Sequence, residues 1–483
     1  MDHETARTAT DAALDRAQAL ARKWLAGLSD RQVAPAVALD DLRARLGGPL
    51  PEHGEDTADT VGALARDADP GVIASTGPRY SGFVVGGGLP AALAADWLAS
   101  AWDQNAGLYV LSPAAAVAEE AAATWAAELL GLPAGVSAGF TTGATMASFT
   151  ALAAARHALL ERAGWDVERD GIFGAPAMPV VVGEEAHVTI HVALQMLGLG
   201  RDRVTRVPAD DQGRMRADAL AQVLASIDRP PLVCAQSGNV NTGAFDPVDE
   251  IVDLVRTKGG WLHVDGAFGL WAAADPSRRH LLRGVDRADS WTTDCHKWLN
   301  VPYDSGLAFC AHPNAHHAAM TLGAAYYVET AGGERDPYNW VAESSRRARG
   351  FAVWAAIRSL GRDGVADLVA DACDRARQFA AGLDGHPGLG IRVLNDVVLN
   401  QVLVRFDDPS GDLAAGDART DAVIAAIQAD RTMWAGGTTW HGQRAMRLSV
   451  SNWRTTAEDV DRSLDAIRRA AAAVPTAPIA AAR

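Results

Sequence analysis

Residues 261–269 read WLHVDGAFG, and residues 291–300 read WTTDCHKWLN. Asp265 closes the first strand-like run, and the small residues Gly266 and Ala267 follow it, so its carboxylate can face a ligand at close range. Lys297 comes 32 residues later, just past the second strand-like run, SWTTD at 290–294. A lysine is rarely buried without a partner. Lys297 either lies over the surface with its stem on Trp298 or carries a reactive amine. Asp265 has a plain alternative too, as a helix N-cap. If the two runs are neighbouring strands, both side chains reach one crevice.

The surrounding sequence supports that pairing. MPVVVG at 178–183, RVTRVP at 203–208 and PLVCAQ at 231–236 also read as strands, with helical stretches at 213–227 and 246–257 between them. Such alternation predicts an α/β fold with a mainly parallel sheet and helices on both faces. Ligands of these sheets gather at the carboxyl ends of the strands. Upstream, 10–28 has apolar residues at helical spacing with Thr10 as a possible cap, 45–60 is a Gly/Pro/acid-rich connection, and 114–131 is helical. GGG at 86–88 reads as a flexible turn before a helix, since glycines alone are weak evidence of phosphate binding. Beyond 350 come a long helix (351–383), strands at 391–394, 400–406 and 445–451, and helices at 419–429 and 456–472. The resulting division is 1–90 as an N-terminal helical and extended segment, 91–350 as a large domain, 351–470 as a smaller C-terminal α/β domain, and 471–483 as a disordered tail.

Composition narrows the partners. A net charge of −15 over 483 residues argues against nucleic acid or an anionic membrane surface as a partner. No run reaches a membrane span, no basic and apolar leader opens the chain, and the four cysteines form no CxxC pair. The expectation is a cytoplasmic protein without a structural metal site, and Cys295 reads as a small packing residue.

One cofactor needs a lysine and a carboxylate together. Pyridoxal phosphate binds a lysine amine as a Schiff base and takes an acid partner at its pyridine nitrogen. Its phosphate needs a helix N-terminus with small residues. GFTTGATMASFTALAAAR at 139–156 offers Thr141, Thr142, Gly143, Ala144 and Thr145 ahead of a clear helix, which equally suits an ordinary threonine cap. EEAHVTIHVAL at 184–194 puts His187 just after a strand of the same sheet, where an imidazole can lie on the cofactor ring; His191 reads as a helix residue.

The set TTGAT, EEAH, SGNVNTGAFDP, HVDGAFG and DCHKWLNVPYDSG resembles the pyridoxal-phosphate-dependent group II amino-acid decarboxylases. The similarity runs from GPRYSGFVV at 77 to MRLSVSNWRTT at 446–456. It implies the large aspartate-aminotransferase type I fold, with a mainly parallel seven-stranded sheet and a smaller C-terminal domain. It also implies a homodimer with the active site at the interface, wrapped by the N-terminal segment. Under the resemblance, Lys297 carries the internal aldimine, Asp265 pairs with the pyridine nitrogen, His187 stacks on the ring and Ala267 packs beneath it. Ala144, Thr145 and Asp294 lie at the phosphate, with His296 close by. Arg447 stands where related enzymes keep an arginine for a substrate carboxylate, and a surface pair explains it equally well. Tyr327, or Tyr326 beside it, sits at about the right distance for the loop tyrosine that returns a proton; Tyr338 and Trp340 follow. The arginines of SSRRARGFAVW at 344–354 anchor the helix into the small domain.

Departures are visible. Gly238-Asn239-Val240 replaces a usual Gly-Thr-Thr, so a hydroxyl contact is lost, and Gly77 stands where a histidine often precedes the Pro-Arg segment. The implied reaction is decarboxylation of an L-amino acid to its amine and CO2. The alternatives are an aminotransferase, an oxidative or aldehyde-forming enzyme acting at the same carbon, and a non-catalytic homologue that binds the cofactor. Trp434, Trp440 and His441 fit an aromatic substrate pocket and core packing equally, so the substrate side chain is not readable.

Overall fold

The computed structural model describes residues 2–321, 334–384 and 386–476. Three helices come first: α1 (His3–Ala26), α2 (Leu39–Leu46) and α3 (Thr57–Ala68). Asp2, not Thr10, caps α1: its carboxylate accepts the Thr5 N–H at 2.8 Å. Thr10 lies inside the helix and donates its hydroxyl back to the Ala6 carbonyl at 2.9 Å, the usual outlet for an interior threonine. The connection expected at 45–60 is shorter, because Asp56 starts α3 by accepting the Ala58 and Asp59 N–H groups. α1 packs along α3, yet neither helix fully buries a residue.

The large sheet is built after α4 (Pro90–Trp102) and α5 (Pro113–Leu129). Both open with proline, whose missing N–H has no intrahelical partner at that position anyway. Then follow β1 (Ser137–Thr141), α6 (Ala144–Arg162), α7 (Val167–Asp170), β2 (Val180–Gly183), α8 (Val188–Met196), β3 (Thr205–Val207), α9 (Ala217–Ala225), β4 (Leu232–Gln236), α10 (Val248–Thr257), β5 (Trp261–Asp265), β6 (Ser290–Asp294), β7 (Gly306–Cys310) and α11 (Pro313–Met320). The strand order is β1-β7-β6-β5-β4-β2-β3. The pairs β2–β3, β2–β4, β4–β5 and β5–β6 are parallel, and β7 runs antiparallel to both its neighbours. This is the mainly parallel seven-stranded sheet that the resemblance implied. Every residue of β4, β5 and β6 is buried, as expected of strands covered on both faces. α10 supplies part of that cover with Val248, Ile251, Val252 and Val255, one face of a helix. β1 and β7 were not read from sequence: SAGFT and GLAFC are short and rich in small residues, so they lack the β-branched signal.

The C-terminal part starts with α12 (Gly350–Asp384), interrupted at Gly361, where φ is 63° and ψ −175°, angles that cost glycine little. β8 (Ile391–Val393), β9 (Gln401–Phe406), α13 (Leu413–Asp430), β10 (Gly436–Trp440), β11 (Gln443–Ser449) and α14 (Ala457–Ala473) complete it. The four strands form an antiparallel sheet in the order β10-β11-β9-β8. Its core joins Val402, Val404, Phe406, Met446 and Leu448 to Phe379, Ile427 and Ile467. α14 runs to Ala473, into the stretch expected to be disordered, because Ala470 and Ala471 pack into that core.

Hydrogen bonds tie the two sheets together next to the strand ends. Asn395 donates to the Thr242 carbonyl at 2.9 Å, Thr438 to Asn241 Oδ1 at 3.0 Å, and Asn300 to the Ser451 carbonyl at 2.9 Å. Among the described residues no helix is long and apolar enough to cross a membrane, and no cluster of side chains has the makeup of a metal site.

Candidate active site

β5 and β6 lie side by side in register, with Asp265 opposite Thr292. The Gly266 N–H donates to the Thr292 carbonyl at 3.0 Å, and the Asp294 N–H to the Ala267 carbonyl at 2.8 Å. The two strand ends are therefore fixed against each other, and Asp265 and Lys297 open into one cavity of about 330 Å³. That size suits a small cofactor with a substrate. His187, Thr142, Thr145 and Tyr303 also line it. The single-strand readings of Asp265 and Lys297 are thereby replaced: Asp265 caps no helix, and the Lys297 amine sits 3.0 Å from the Asp294 carboxylate instead of lying over the surface.

The charges at the cavity floor are coupled. Burial pushes the Asp265 carboxyl up from its ordinary range, while His187, Lys297 and the Ala267 N–H pull it down. Burial also lowers the His187 imidazole, against the pull of Asp265 and reinforced by Lys297 and Arg447. His187 precedes α8, and its Nδ1 takes contacts from the Thr189 hydroxyl at 2.8 Å and the Thr189 N–H at 3.4 Å. These contacts set the ring's orientation. His296 is lowered by burial as well. Its Nδ1 accepts the Ser305 N–H at 3.1 Å, which assigns its proton to Nε2, on the side facing Asp294 at 3.6 Å.

The opposite wall is the start of α6. The Ala144 N–H donates to Asp294 Oδ1 at 2.6 Å. A Cβ on Gly143 would meet His296 Cε1 at 3.0 Å and Asp294 Oδ1 at 3.3 Å. A Cβ on Gly306 would stand 2.5 Å from the Gly143 Cα, and one on Gly86 2.3 Å from the Lys297 carbonyl. Gly86 and Gly143 let two other backbone segments close on the lysine loop, and Gly306 lets β7 close on Gly143, so 86–88 is a packed contact and not an open turn. Ala267 lies at the floor beside Asp265.

Arg447 lies outside this cavity. It sits in β11 opposite Leu403, half-buried, and its charge acts on His187. Among the described residues it has no carboxylate within ion-pair distance, so the surface-pair reading falls away. Tyr326 and Tyr327 lie outside the described residues. Tyr338 is buried, and Trp340 packs edge-on against His316 and His317. Trp440 is in the core with Leu403 and Ala445, whereas Trp434 stacks between Tyr80 and Phe83, with centroids at 5.1 and 5.4 Å. Of the arginines at 346–349, Arg346 is a buried anchor that pairs with Glu119 at 2.9 Å. Cys295 is fully buried with its thiol pushed up by burial, the opposite of a reactive thiolate.

Sequence reading missed Tyr303, whose ring stacks on His296 at 4.2 Å and whose phenol is pushed up to about 12 by burial, with Asp294 and Tyr80 adding to it. Its signal was present, six residues after the lysine in the same quoted run. Phe83 and Val84, with φ of 53° and 57°, carried no sequence signal; adjacent left-handed residues of these types are rare.

The donor set fits pyridoxal phosphate. A lysine amine, a buried carboxylate, a neutral imidazole, and a helix N-terminus with a glycine cradle all face the same space. The two-sheet fold with this cavity at the strand ends is that of the aspartate-aminotransferase type of pyridoxal enzyme. The chain belongs to the pyridoxal-dependent decarboxylases: the family model described as the pyridoxal-dependent decarboxylase conserved domain matches residues 40–406. Pyridoxal phosphate is its cofactor. The chain is 30% identical to an L-2,4-diaminobutyrate decarboxylase of Rhizobium meliloti (strain 1021) over 91% of its own length and 86% of the relative's. It is 28% identical to an aromatic-L-amino-acid decarboxylase of Bacillus atrophaeus over 69% of each chain. In three dimensions it is similar to Oryza sativa TDC solved with PLP and tryptamine, with a TM-score of 0.89 over 98% of both chains at 22% identity.

Proposed function

We propose that this protein decarboxylates an L-α-amino acid to the corresponding amine and CO2, with Lys297 as the residue that attaches the cofactor. The observation that carries this reading is the meeting of Lys297, Asp265 and His187 in one cavity at the ends of neighbouring strands. When bound, the cofactor supplies an electron sink for the bond broken at the substrate's α-carbon. Asp265 would pair with the pyridine nitrogen and keep it protonated, a contact its burial would strengthen. His187, neutral and fixed by Thr189, would pack on the ring face, and Ala267 would leave room beneath it. The Ala144 and Thr145 end of α6, with Asp294 and His296, would hold the phosphate. Arg447, with no carboxylate partner among the described residues and with its charge reaching His187, is the proposed group for a substrate carboxylate. Lys297 would release the amine product, and Tyr327 is the proposed donor for the proton that replaces CO2.

The active unit in this reading is a homodimer. An apolar groove of about 780 Å³ between α4, α5 and α12 is lined by Leu98, Trp102, Val117, Phe351 and Trp354. Among its walls, Leu98 and Trp102 are about half exposed, and a surface of that kind marks an association site. The four cysteines are all free and buried, in keeping with the proposed cytoplasmic location.

The test is a panel of L-amino acids with CO2 trapping and product analysis. One member releasing CO2 and amine in equal amounts is the expected result. Keto acid without CO2, or aldehyde with peroxide in air, would replace the reading with transamination or oxidation.

A further inference from the structure

Asn300 ends the turn that begins at Lys297, and its own N–H closes that turn on the Lys297 carbonyl at 3.3 Å. It is fully buried, and its φ of 55° is one that asparagine adopts more readily than most residues. All four hydrogen-bonding positions of its side-chain amide are used. Oδ1 accepts the Gly87 N–H at 2.6 Å and the Trp453 N–H at 3.1 Å. Nδ2 donates to the Trp298 carbonyl at 2.8 Å and to the Ser451 carbonyl at 2.9 Å. Two N–H donors at one end and two carbonyls at the other fix which end is oxygen. Three stretches remote in sequence therefore meet on one amide: the glycine run before α4, the lysine turn, and the residues that follow β11. The Asn300 carbonyl adds a further tie, accepting the Leu89 N–H at 2.7 Å.

We infer that Asn300 is a positioning residue that holds the Lys297 turn against the small sheet and so sets where the lysine amine stands in the cavity. This rests on Lys297 being the attachment point. β6 ends at Asp294, so Lys297 enters the cavity from a turn that no strand ladder holds. On its near side the turn is fixed by the Cys295 and His296 N–H groups, which donate to the Ser305 carbonyl at 3.0 and 3.2 Å. On its far side the clasp is Asn300. The two stretches that Asn300 grips are also joined to each other, by Ser451 donating to the Val85 carbonyl at 3.0 Å and Trp453 Nε1 to the Gly88 carbonyl at 3.2 Å. The clasp is therefore backed by rigid structure. It also links the turn to the continuation of β11, the strand that carries Arg447. Lys297 and Arg447 come from different sheets, and this amide joins their supports.

The test uses the full-length apoenzyme. Asn300→Gly keeps the left-handed backbone and deletes the side-chain bonds. Asn300→Asp keeps the shape and turns the donor end into an acceptor facing two carbonyls. Asn452→Ala is the control. It removes the two bonds of a neighbouring buried amide, to the Gly77 carbonyl and from the Arg454 N–H, both at 2.9 Å and neither in the lysine turn. Pyridoxal phosphate is added, samples are quenched with borohydride at timed intervals, and the label on Lys297 is followed by mass spectrometry. Labelling should slow about tenfold or more in both Asn300 variants, the scale for a misplaced reacting group, and stay within about twofold of wild type in Asn452→Ala. Melting should remain cooperative in all three. Labelling at the wild-type rate in a folded Asn300 variant would overturn the inference. Equal slowing in Asn452→Ala would overturn it as well, by showing a general loosening. Unfolding of both Asn300 variants would have the same force, since the amide would then serve the fold as a whole. A wild-type enzyme that takes no label at Lys297 would instead strike at the attachment residue, a separate outcome from any difference between variants.

Discussion

The floor of the cavity and the N-terminal helices are built on opposite principles. β5 and β6 bury every residue, and the loop after them is clasped by glycines from two other segments. α1 buries none of its residues across 24 positions and leaves Leu14 59% exposed. A segment with a complete set of partners in its own chain keeps its geometry alone. A segment with an apolar stripe and no complete cover is where the proposed dimer would find its contact. Chemistry belongs on the first kind of structure, and association on the second.

The largest effect should come from the floor. Lys297→Ala is predicted to lower turnover by orders of magnitude and to remove the cofactor's visible band, while the melting profile holds, because under the proposed function the amine belongs to the chemistry and not to the core. Turnover at the wild-type rate would end the assignment. A second change tests how far the floor depends on its surroundings. Arg346 and Glu119 form a fully desolvated pair, with Arg346 also donating to the Ala106 and Phe140 carbonyls at 2.9 Å. Arg346→Ala leaves a buried carboxylate and two carbonyls unpaired, and about 3–5 kcal/mol should be lost in denaturant titration. A loss near zero would show that the anchor is dispensable.

Acid should weaken the buried part next. Burial holds His263 of β5 at about 3 and His316 at about 4 in the fold. An unfolded histidine titrates near 6.5. Both shifts are downward, so below that value the unfolded chain binds protons the folded chain refuses. Stability is full above about 6.5 and falls as pH drops from there towards 4. Asp246, pushed up to about 6 by burial, works in the opposite direction over the acid range, because the folded state binds its proton first. The two histidines outnumber it, so the midpoint in urea should decrease from neutral to mildly acid pH. A rising midpoint would mean that the carboxylate dominates.

The smallest effect on folding should come from the N-terminal helices. Leu14→Ser is predicted to change stability by less than about 0.5 kcal/mol, as for most exposed positions, yet to weaken the proposed dimer in sedimentation experiments. A large loss of stability with unchanged association would reverse the comparison between the two regions.

That contrast also explains what the sequence disclosed. β4 and β5 were legible because doubly covered parallel strands are written as largely apolar runs, β6 through the tryptophan and β-branched threonines of SWTTD, and the lysine and carboxylate stood out beside them. α2 and α3 were hidden by the glycine, proline and acidic residues around them. β1, β7 and β10 were too rich in small residues to carry a pattern. Asp265, Lys297 and His187 could be brought together on paper, because parallel strands bring their ends to one edge. The bridge from Asp294 to Ala144 joins residues 150 positions apart, and no local spacing reports such a contact. The stacking of Trp434 between Tyr80 and Phe83 is equally remote. Trp440 belonged to the core half of its two readings.

The most direct test of the account is to reduce the purified holoenzyme with borohydride, digest it, and locate the pyridoxyl group by mass spectrometry. The account predicts one modified residue, Lys297, and none in Lys297→Ala. A pyridoxyl group on any other lysine, or none on the wild type after loading with the cofactor, would contradict it.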